Sequence, residues 1–298
     1  MSAALLGCYD SFKKQALKAN AVIPVLFLNT LFSSLIFLPF IVLSSTTQML
    51  DGSIFYVTEG GWDEHKYILG KALIVLSSWV LGYFGMKHLP LTIVGPINAT
   101  RPVMVLVGAL LVFGERLNGW QWAGVLLAVL SFLMLSRSGK KEGIDFKHDH
   151  WIWMIVGAAA LGALSGLYDK YLMAPVESGG VGLNRMLVRA WYNFYQCGMM
   201  LAMLVFLWWP HRKELTPFHW HWSIIWVSLF LSTADFMYFY SLSMPEAMIS
   251  IVSMVRRGSV VVSFLFGAVF FHEKNLKAKA FDLALVLLGM IFLYIGSA

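Results

Sequence analysis

Charged side chains occur inside segments of this chain that are otherwise almost entirely apolar. Asp235 lies within WSIIWVSLFLSTADFMYFYSL, Arg101 precedes PVMVLVGALLVF, and Arg256 with Arg257 precedes GSVVVSFLFGAVFF. An ionised group in such a segment costs roughly 2.5 to 3.5 kcal/mol on insertion scales, and it usually faces a polar interior. Because guanidinium groups are permanently protonated and forked, they suit carboxylate or phosphate groups. These residues predict an internal site for an organic acid or zwitterion.

The same charges also have a structural interpretation. An internal arginine can pair with a carboxylate and orient two helices, and Asp235 is a natural partner for Arg256 or Arg257. Neighbouring residues of a helix point about 100° apart, so Arg256 and Arg257 cannot share one surface. Asp235 therefore has three interpretations, as an ion-pair partner, a counter-ion for a solute or a site of proton coupling.

A Tyr-Asp pair occurs twice, in GCYDSFKK at 7–14 and in GLYDKY at 166–171. The spacing from Asp10 to Lys13 or Lys14 allows a local ion pair on a helix. Asp169 and Lys170 are neighbours and cannot face each other, so at least one needs a partner elsewhere. Of the two carboxylates, we expect Asp169 to be the one available to a solute or a proton.

The segment RAWYNFYQ adds Arg189, Tyr192 and Asn193, which either line a pocket or belong to an aromatic belt at the membrane interface. Cations at candidate interior positions outnumber carboxylates, which favours an anionic or zwitterionic organic solute. The predicted solute-binding residues are Tyr9, Asp10, Arg101, Tyr168, Asp169, Lys170, Arg189, Tyr192, Asn193, Asp235, Arg256 and Arg257.

The elements that position these residues follow from composition. Of 298 residues, 59% are hydrophobic and only 13% are charged, whereas a soluble domain carries about 25% charged residues. Ten apolar runs, mostly of membrane-spanning length, lie near 2–17, 20–44, 66–86, 89–113, 119–136, 151–173, 188–209, 221–243, 246–271 and 278–297. The sequence predicts an all-α polytopic membrane protein of about ten transmembrane helices, the first of them short.

An internal repeat divides these runs into two groups of five. The Tyr-Asp pairs are 159 residues apart, and Glu115 in FGERL and Glu273 in FHEKN are 158 apart. We predict a first repeat at 1–138, a connecting loop at 139–150 and a second repeat at 151–298. Because five is odd, the second repeat enters the membrane from the opposite side. Inverted repeats of this kind are typical of secondary transporters.

The two five-helix halves resemble the EamA-type permeases of the drug/metabolite transporter superfamily. The resemblance rests on an arginine followed by an apolar stretch that ends in FGERL or FHEKN, with Gly124 and Gly289 in the helices that follow. It implies a permease that moves a small organic solute by alternating access. The motifs are short, so the resemblance implies the architecture without naming the solute.

Other classes of function find little support in the sequence. The basic residues lie in loops, as in many membrane proteins, so the net charge of +6 does not indicate nucleic acid. HExxH, Walker and GxSxG motifs are absent, and we predict no metal and no cofactor. The remaining alternatives are a membrane enzyme on a lipid-linked substrate and a non-transporting scaffold or receptor.

We expect an integral protein of the cell membrane, in contact with lipids, and leave proton coupling and a homodimer open. Lysine and arginine are concentrated in loops one, three, five, seven and nine, a count that treats Lys71 and Lys279 as loop residues. That distribution predicts external termini, whereas the family resemblance implies cytoplasmic termini.

Overall fold

The computed structural model describes residues 2–113, 118–140, 146, 148–243, 256, 258–271, 273 and 276–297, without a few side chains such as that of Lys170. Its α-helices are α1 (Ser2–Leu17), α2 (Val22–Thr46), α3 (Trp62–His88), α4 (Leu91–Ala99), α5 (Arg101–Phe113), α6 (Gly119–Lys140), α7 (His150–Met173), α8 (Arg185–Met203), α9 (Ser223–Ser243), α10 (Ser259–Val269) and α11 (Leu276–Ser297). A 3-10 turn at Val176–Ser178 follows α7, and a π-helical turn at Leu204–Trp208 continues α8. The prediction of an all-α protein is confirmed for the described residues.

Five helical segments of the described chain are long and apolar enough to cross a membrane, judged by length and composition alone. They are Val22–Thr46, Trp62–His88, His150–Met173, Arg185–Trp208 and Leu276–Gly296. Shorter apolar helices lie at Gly119–Leu135, Ser223–Met237 and Ser259–Val269. Every backbone hydrogen bond of a helix is made within the segment, which allows it to lie in lipid. The fold is that of a polytopic membrane protein.

The fourth apolar run is broken into two helices. The sequence predicts one span over 89–113, whereas α4 ends at Ala99 and α5 begins at Arg101. Pro102 has no N–H to donate to the carbonyl of Asn98, and its ring opposes that carbonyl, so a continuous helix is disfavoured there. Thr100 bridges the break by donating its hydroxyl to the carbonyl of Ile97 at 2.7 Å. The break places Arg101 at the beginning of a helix.

Helices from the two halves pack against each other throughout the bundle. The most extensive contacts join α6 to α11, α3 to α7, α1 to α9 and α2 to α8. Further contacts join α1 to α10, α5 to α7, α2 to α9 and α3 to α8. The interior is therefore built by helices that are distant in sequence.

Two lysines that the distribution of charge among the loops includes lie inside helices. Lys71 belongs to α3 and is only 5% exposed, and Lys279 belongs to α11 and is buried. Helix α3 begins earlier than its predicted span because Glu64 accepts a hydrogen bond from the backbone N–H of Gly61 at 2.7 Å and caps the helix. Neither lysine contributes to the distribution of charge among the loops.

The contact between α6 and α11 supports a prediction about stability. A Cβ atom on Gly124 would lie 2.7 Å from the carbonyl oxygen of Gly289, which is backbone and cannot turn aside. We expect Gly124→Ala to lower the free energy of unfolding by about 1 to 3 kcal/mol, as overpacking does. Thermal unfolding of the purified protein measures the change.

Gly198→Ala is the matched control, because a Cβ atom there meets nothing within 4 Å and the position is helical. Alanine favours a helix over glycine, so this variant should unfold at the same temperature or higher. Equal stability of the two alanine variants would contradict the close approach of α6 and α11.

Candidate functional site

A buried carboxylate on α9 lies between two arginines. Asp235 is only 6% exposed. Its Oδ2 atom is 2.6 Å from Nη2 of Arg189, and its Oδ1 atom contacts Nη2 of Arg256. The sequence predicts the pair with Arg256 as one alternative, and that pair is confirmed. The contact with Arg189 joins α8 to the same carboxylate.

Arg189 is held from several directions. Its guanidinium carbon lies 5.1 Å from the ring centroid of Phe37 and 4.9 Å from that of Tyr192. The side-chain amide of Asn193 donates to the main-chain carbonyl of Arg189 at 2.9 Å. Nη2 is close to Asp235 in distance, but neither Nε nor Nη2 has an aligned hydrogen-bond acceptor among the described residues. The guanidinium group of Arg189 is therefore held in place and retains N–H groups that can donate hydrogen bonds.

Helix α8 brings its polar residues to one face. Asn184 caps the helix by accepting hydrogen bonds from the backbone N–H groups of Met186 and Leu187 at 2.8 and 3.3 Å. From that beginning, a spacing of three or four residues returns to the same face. The residues at that spacing are Arg189, Tyr192, Asn193 and Gln196, and all four are buried. Because these four side chains are buried inside the bundle, they do not belong to an aromatic belt at the membrane interface.

Asp169 has an ion-pair partner on another helix. The ammonium group of Lys71 on α3 contacts Oδ1 of Asp169 on α7 and lies 5.6 Å from the ring centroid of Tyr192. The expectation that Asp169 is the available carboxylate, based on its lack of local lysines, is therefore not supported by its contacts. Lys71 falls inside the predicted span 66–86 although the count of loop charges includes it, and its position in the span was the signal for an interior lysine.

Asp10 pairs within α1, as its spacing predicts. Nζ of Lys13 lies 3.0 Å from Oδ1 of Asp10, and Ser263 of α10 donates its hydroxyl to Oδ2 at 3.3 Å. Lys13 also lies over the ring of Tyr9, at 4.4 Å from its centroid. Lys14 has a different role, since it donates to the main-chain carbonyls at the end of α3.

Arg101 lies where α5 meets α7. A Cβ atom on Gly162 would be 2.9 Å from the guanidinium carbon of Arg101, so the absence of a side chain at 162 makes room for this group. Arg101 interacts electrostatically with Asp10 and Arg256, and its Nε has no hydrogen-bond partner among the described residues. It thus links the Asp10 pair to the arginines around Asp235.

Three predicted site residues are not part of this arrangement as described. The hydroxyl of Tyr168 donates to the main-chain carbonyl of Tyr67 at 3.3 Å, so this side chain contacts α3. The side chain of Lys170 and the whole of Arg257 lie outside the described residues. The others come from α1, α5, α7, α8 and α9, together with Arg256. We use the name charge cluster for Asp10, Lys13, Lys71, Arg101, Asp169, Arg189, Asp235 and Arg256.

Contacts at opposite ends of the 27-residue helix α3 lie on either side of this cluster. At one end, Phe55 of the loop between α2 and α3 stacks on Phe40 and Phe236, with centroids 5.2 and 4.9 Å apart. At the other end, the carboxylate of Glu273 accepts from the backbone N–H groups of Leu91 and Thr92 at 2.7 and 2.8 Å. Each contact joins helices from both halves of the chain.

Comparison with known proteins agrees with this architecture. Residues 1–137 match the model of the EamA-like transporter family. A solved crystal structure of 13% sequence identity matches 99% of this chain and 95% of its own length, with a TM-score of 0.62, and shows the fold alone. No curated protein matches the chain. The protein is a polytopic helical membrane protein that is similar, over residues 1–137, to the EamA-like transporter family.

Proposed function

We propose that this protein is a secondary transporter that carries a small organic anion or zwitterion across the cell membrane by alternating access. The observation that carries the proposal is Asp235, buried between Arg189 and Arg256 inside the bundle. Ionised side chains inside a membrane protein are costly, and they commonly mark the pathway of a solute or an ion. The match of residues 1–137 to a transporter family supports a solute pathway here.

The balance of charge supports an anionic or zwitterionic solute. The charge cluster holds five cationic side chains and three carboxylates. Arg101 and Arg189 also retain guanidinium nitrogens without an acceptor among the described residues. Because guanidinium N–H groups bind oxyanions most strongly, a carboxylate or phosphate of the solute would accept their hydrogen bonds.

The pattern of helix contacts supports two inverted repeats. Exchanging the halves turns the contact of α1 with α9 into that of α7 with α3, and the contact of α2 with α9 into that of α8 with α3. The contacts of α2 with α8 and of α6 with α11 map onto themselves. A discontinuous helix, here α4 and α5, is a common feature beside the solute site of such transporters.

The geometry suggests how binding and movement are linked. In the absence of solute, Asp235 acts as an internal ligand for Arg189 and Arg256. The oxyanion of an incoming solute competes for the same guanidinium groups and displaces Asp235 from one of them. The freed carboxylate is then a buried group that protonation would neutralise, which offers a route to proton coupling. In alternating access, the ring contacts of Phe55 and the hydrogen bonds of Glu273 would break at different stages, one on each side of the charge cluster.

A thermal-shift screen with the purified protein tests the proposal. Organic anions, zwitterions, neutral sugars and organic cations are added separately, and each compound that stabilises the protein is repeated on Arg101→Ala and Arg256→Ala. We expect stabilisation by anions or zwitterions that both variants abolish. Stabilisation by cations alone, or by anions equally in the variants, would refute the proposed site.

A further inference from the structure

A layer of uncharged polar side chains continues inward from the charge cluster. Its members are Ser33 of α2, Asn193 and Gln196 of α8, and Ser232 of α9, and we call them the polar seam. Each is at most 3% exposed. The Oγ atoms of both serines, Oδ1 of Asn193 and both amide atoms of Gln196 have no hydrogen-bond partner among the described residues.

Contacts of neighbouring residues place the members of the polar seam at a similar level of the bundle. At one end, Ser228 donates to Oδ1 of Asn29 at 3.0 Å, and one turn further along these two helices stand Ser232 and Ser33. At the other end, Arg189 lies over the ring of Phe37. Asn193 and Gln196 follow Arg189 on the same face of α8, about 6 to 10 Å further along the helix axis.

A buried polar atom without a partner costs about 1 to 3 kcal/mol. Such groups in a native protein therefore require an explanation, for example a bound molecule. Four of them on three helices that pack through α2, next to Arg189 whose Nε has no acceptor among the described residues, point to one ligand rather than four separate defects. The seam includes amide oxygens that only accept hydrogen bonds and hydroxyls that also donate. An oxyanion would be repelled by those acceptors, so the charged end of a ligand belongs at the arginines.

We propose that the solute is an oxyanion whose body carries hydroxyl or amide groups, with the charged end at Arg189 and Arg256 and the polar body in the seam. This inference rests on the proposed function and names its substrate class. Hydroxyl and amide groups both donate and accept, which matches the mixture of atoms in the seam. A hydrocarbon body of the same length would leave all of these atoms unpaired, and such sites reject analogues that lack the polar group.

Matched pairs of anions provide the test. The pairs are tartrate with succinate, galactarate with adipate, and glycerol 3-phosphate with propyl phosphate, each measured as the concentration that gives half-maximal thermal stabilisation of the whole protein. In every pair that stabilises the protein, we expect the hydroxylated member to act at a concentration at least tenfold lower. Equal concentrations within the pairs would overturn this inference while leaving the proposed function intact.

Failure of all six anions, and of every anion and zwitterion in the thermal-shift screen, to stabilise the protein would overturn the proposed function and this inference together. The double variant Gln196→Met with Ser232→Ala removes seam atoms without breaking any hydrogen bond of the described structure. We expect it to reduce the difference within a pair to less than threefold. Thr233→Val is the control, since the hydroxyl of Thr233 bonds its own helix at Leu229, and it should keep the wild-type ratio.

Ordered water is the competing occupant of the seam. If water alone satisfies these atoms, the double variant loses hydrogen bonds to that water, so it should be no more stable than the wild type and should keep the full difference within each pair. That combination would also overturn the inference.

Discussion

Replacing Asp235 with asparagine is expected to lower the free energy of unfolding by about 3 to 5 kcal/mol, the usual effect of breaking a buried ion pair. The change removes the carboxylate that contacts both Arg189 and Arg256, and Arg189 is only 2% exposed. Solute exchange should be lost as well, because the carboxylate that displaces the solute from Arg189 and Arg256 on release is gone. Thermal unfolding and exchange in proteoliposomes measure the two effects.

Two further variants test whether the loss of stability in Asp235→Asn comes from the buried ion pair and not from any replacement of aspartate by asparagine. Asp63→Asn removes the carboxylate of an exposed pair with Lys66 and should not change the melting temperature. Adding Arg189→Met to Asp235→Asn removes one of the buried cations and should recover part of the lost stability, but not exchange. A double variant less stable than Asp235→Asn alone would contradict the proposed pairing.

Arg189→Lys is expected to reduce the rate of solute exchange at least tenfold while destabilising the protein less than Asp235→Asn does. Lysine keeps a positive charge near Asp235 but loses the planar fork that binds an oxyanion and stacks between Phe37 and Tyr192. Arg189→Lys therefore distinguishes a role of Arg189 in orienting helices from a role in binding the solute. Initial rates at several solute concentrations would show the loss.

Arg212→Lys is the matched control for that exchange. Arg212 is exposed and lies over the ring of Trp209, at 4.2 Å from its centroid. Its replacement should leave the rate unchanged. If Arg189→Lys exchanged solute as fast as Arg212→Lys, Arg189 would be an ordinary structural cation.

The sequence predicts the helical class, most helix positions and several local contacts because these depend on near neighbours in the chain. Asp10 pairs with Lys13 through the helical spacing that predicts this pair. The prediction of a single helix over 89–113 is wrong because it treats apolar character alone as sufficient for a continuous span.

Contacts between helices could not be predicted in the same way. The pairing of Lys71 with Asp169 depends on the rotation of α3 about its axis and on its register against α7, and neither is fixed by composition. The same holds for Arg189 and Asp235, whose helices are distant in the chain. The polar seam emerges only when the burial of α2, α8 and α9 is known together.

Counterflow in proteoliposomes measures whether the protein exchanges an organic anion and whether Arg189 is needed for that exchange. Vesicles loaded with an unlabelled organic anion that stabilises the protein are diluted into the same labelled anion, and the transient accumulation of label is recorded for the wild type and for Arg189→Lys. We predict accumulation by the wild type that an organic cation does not compete away and that Arg189→Lys reduces at least tenfold. Accumulation of cationic dyes equal to or greater than that of any anion would contradict the account.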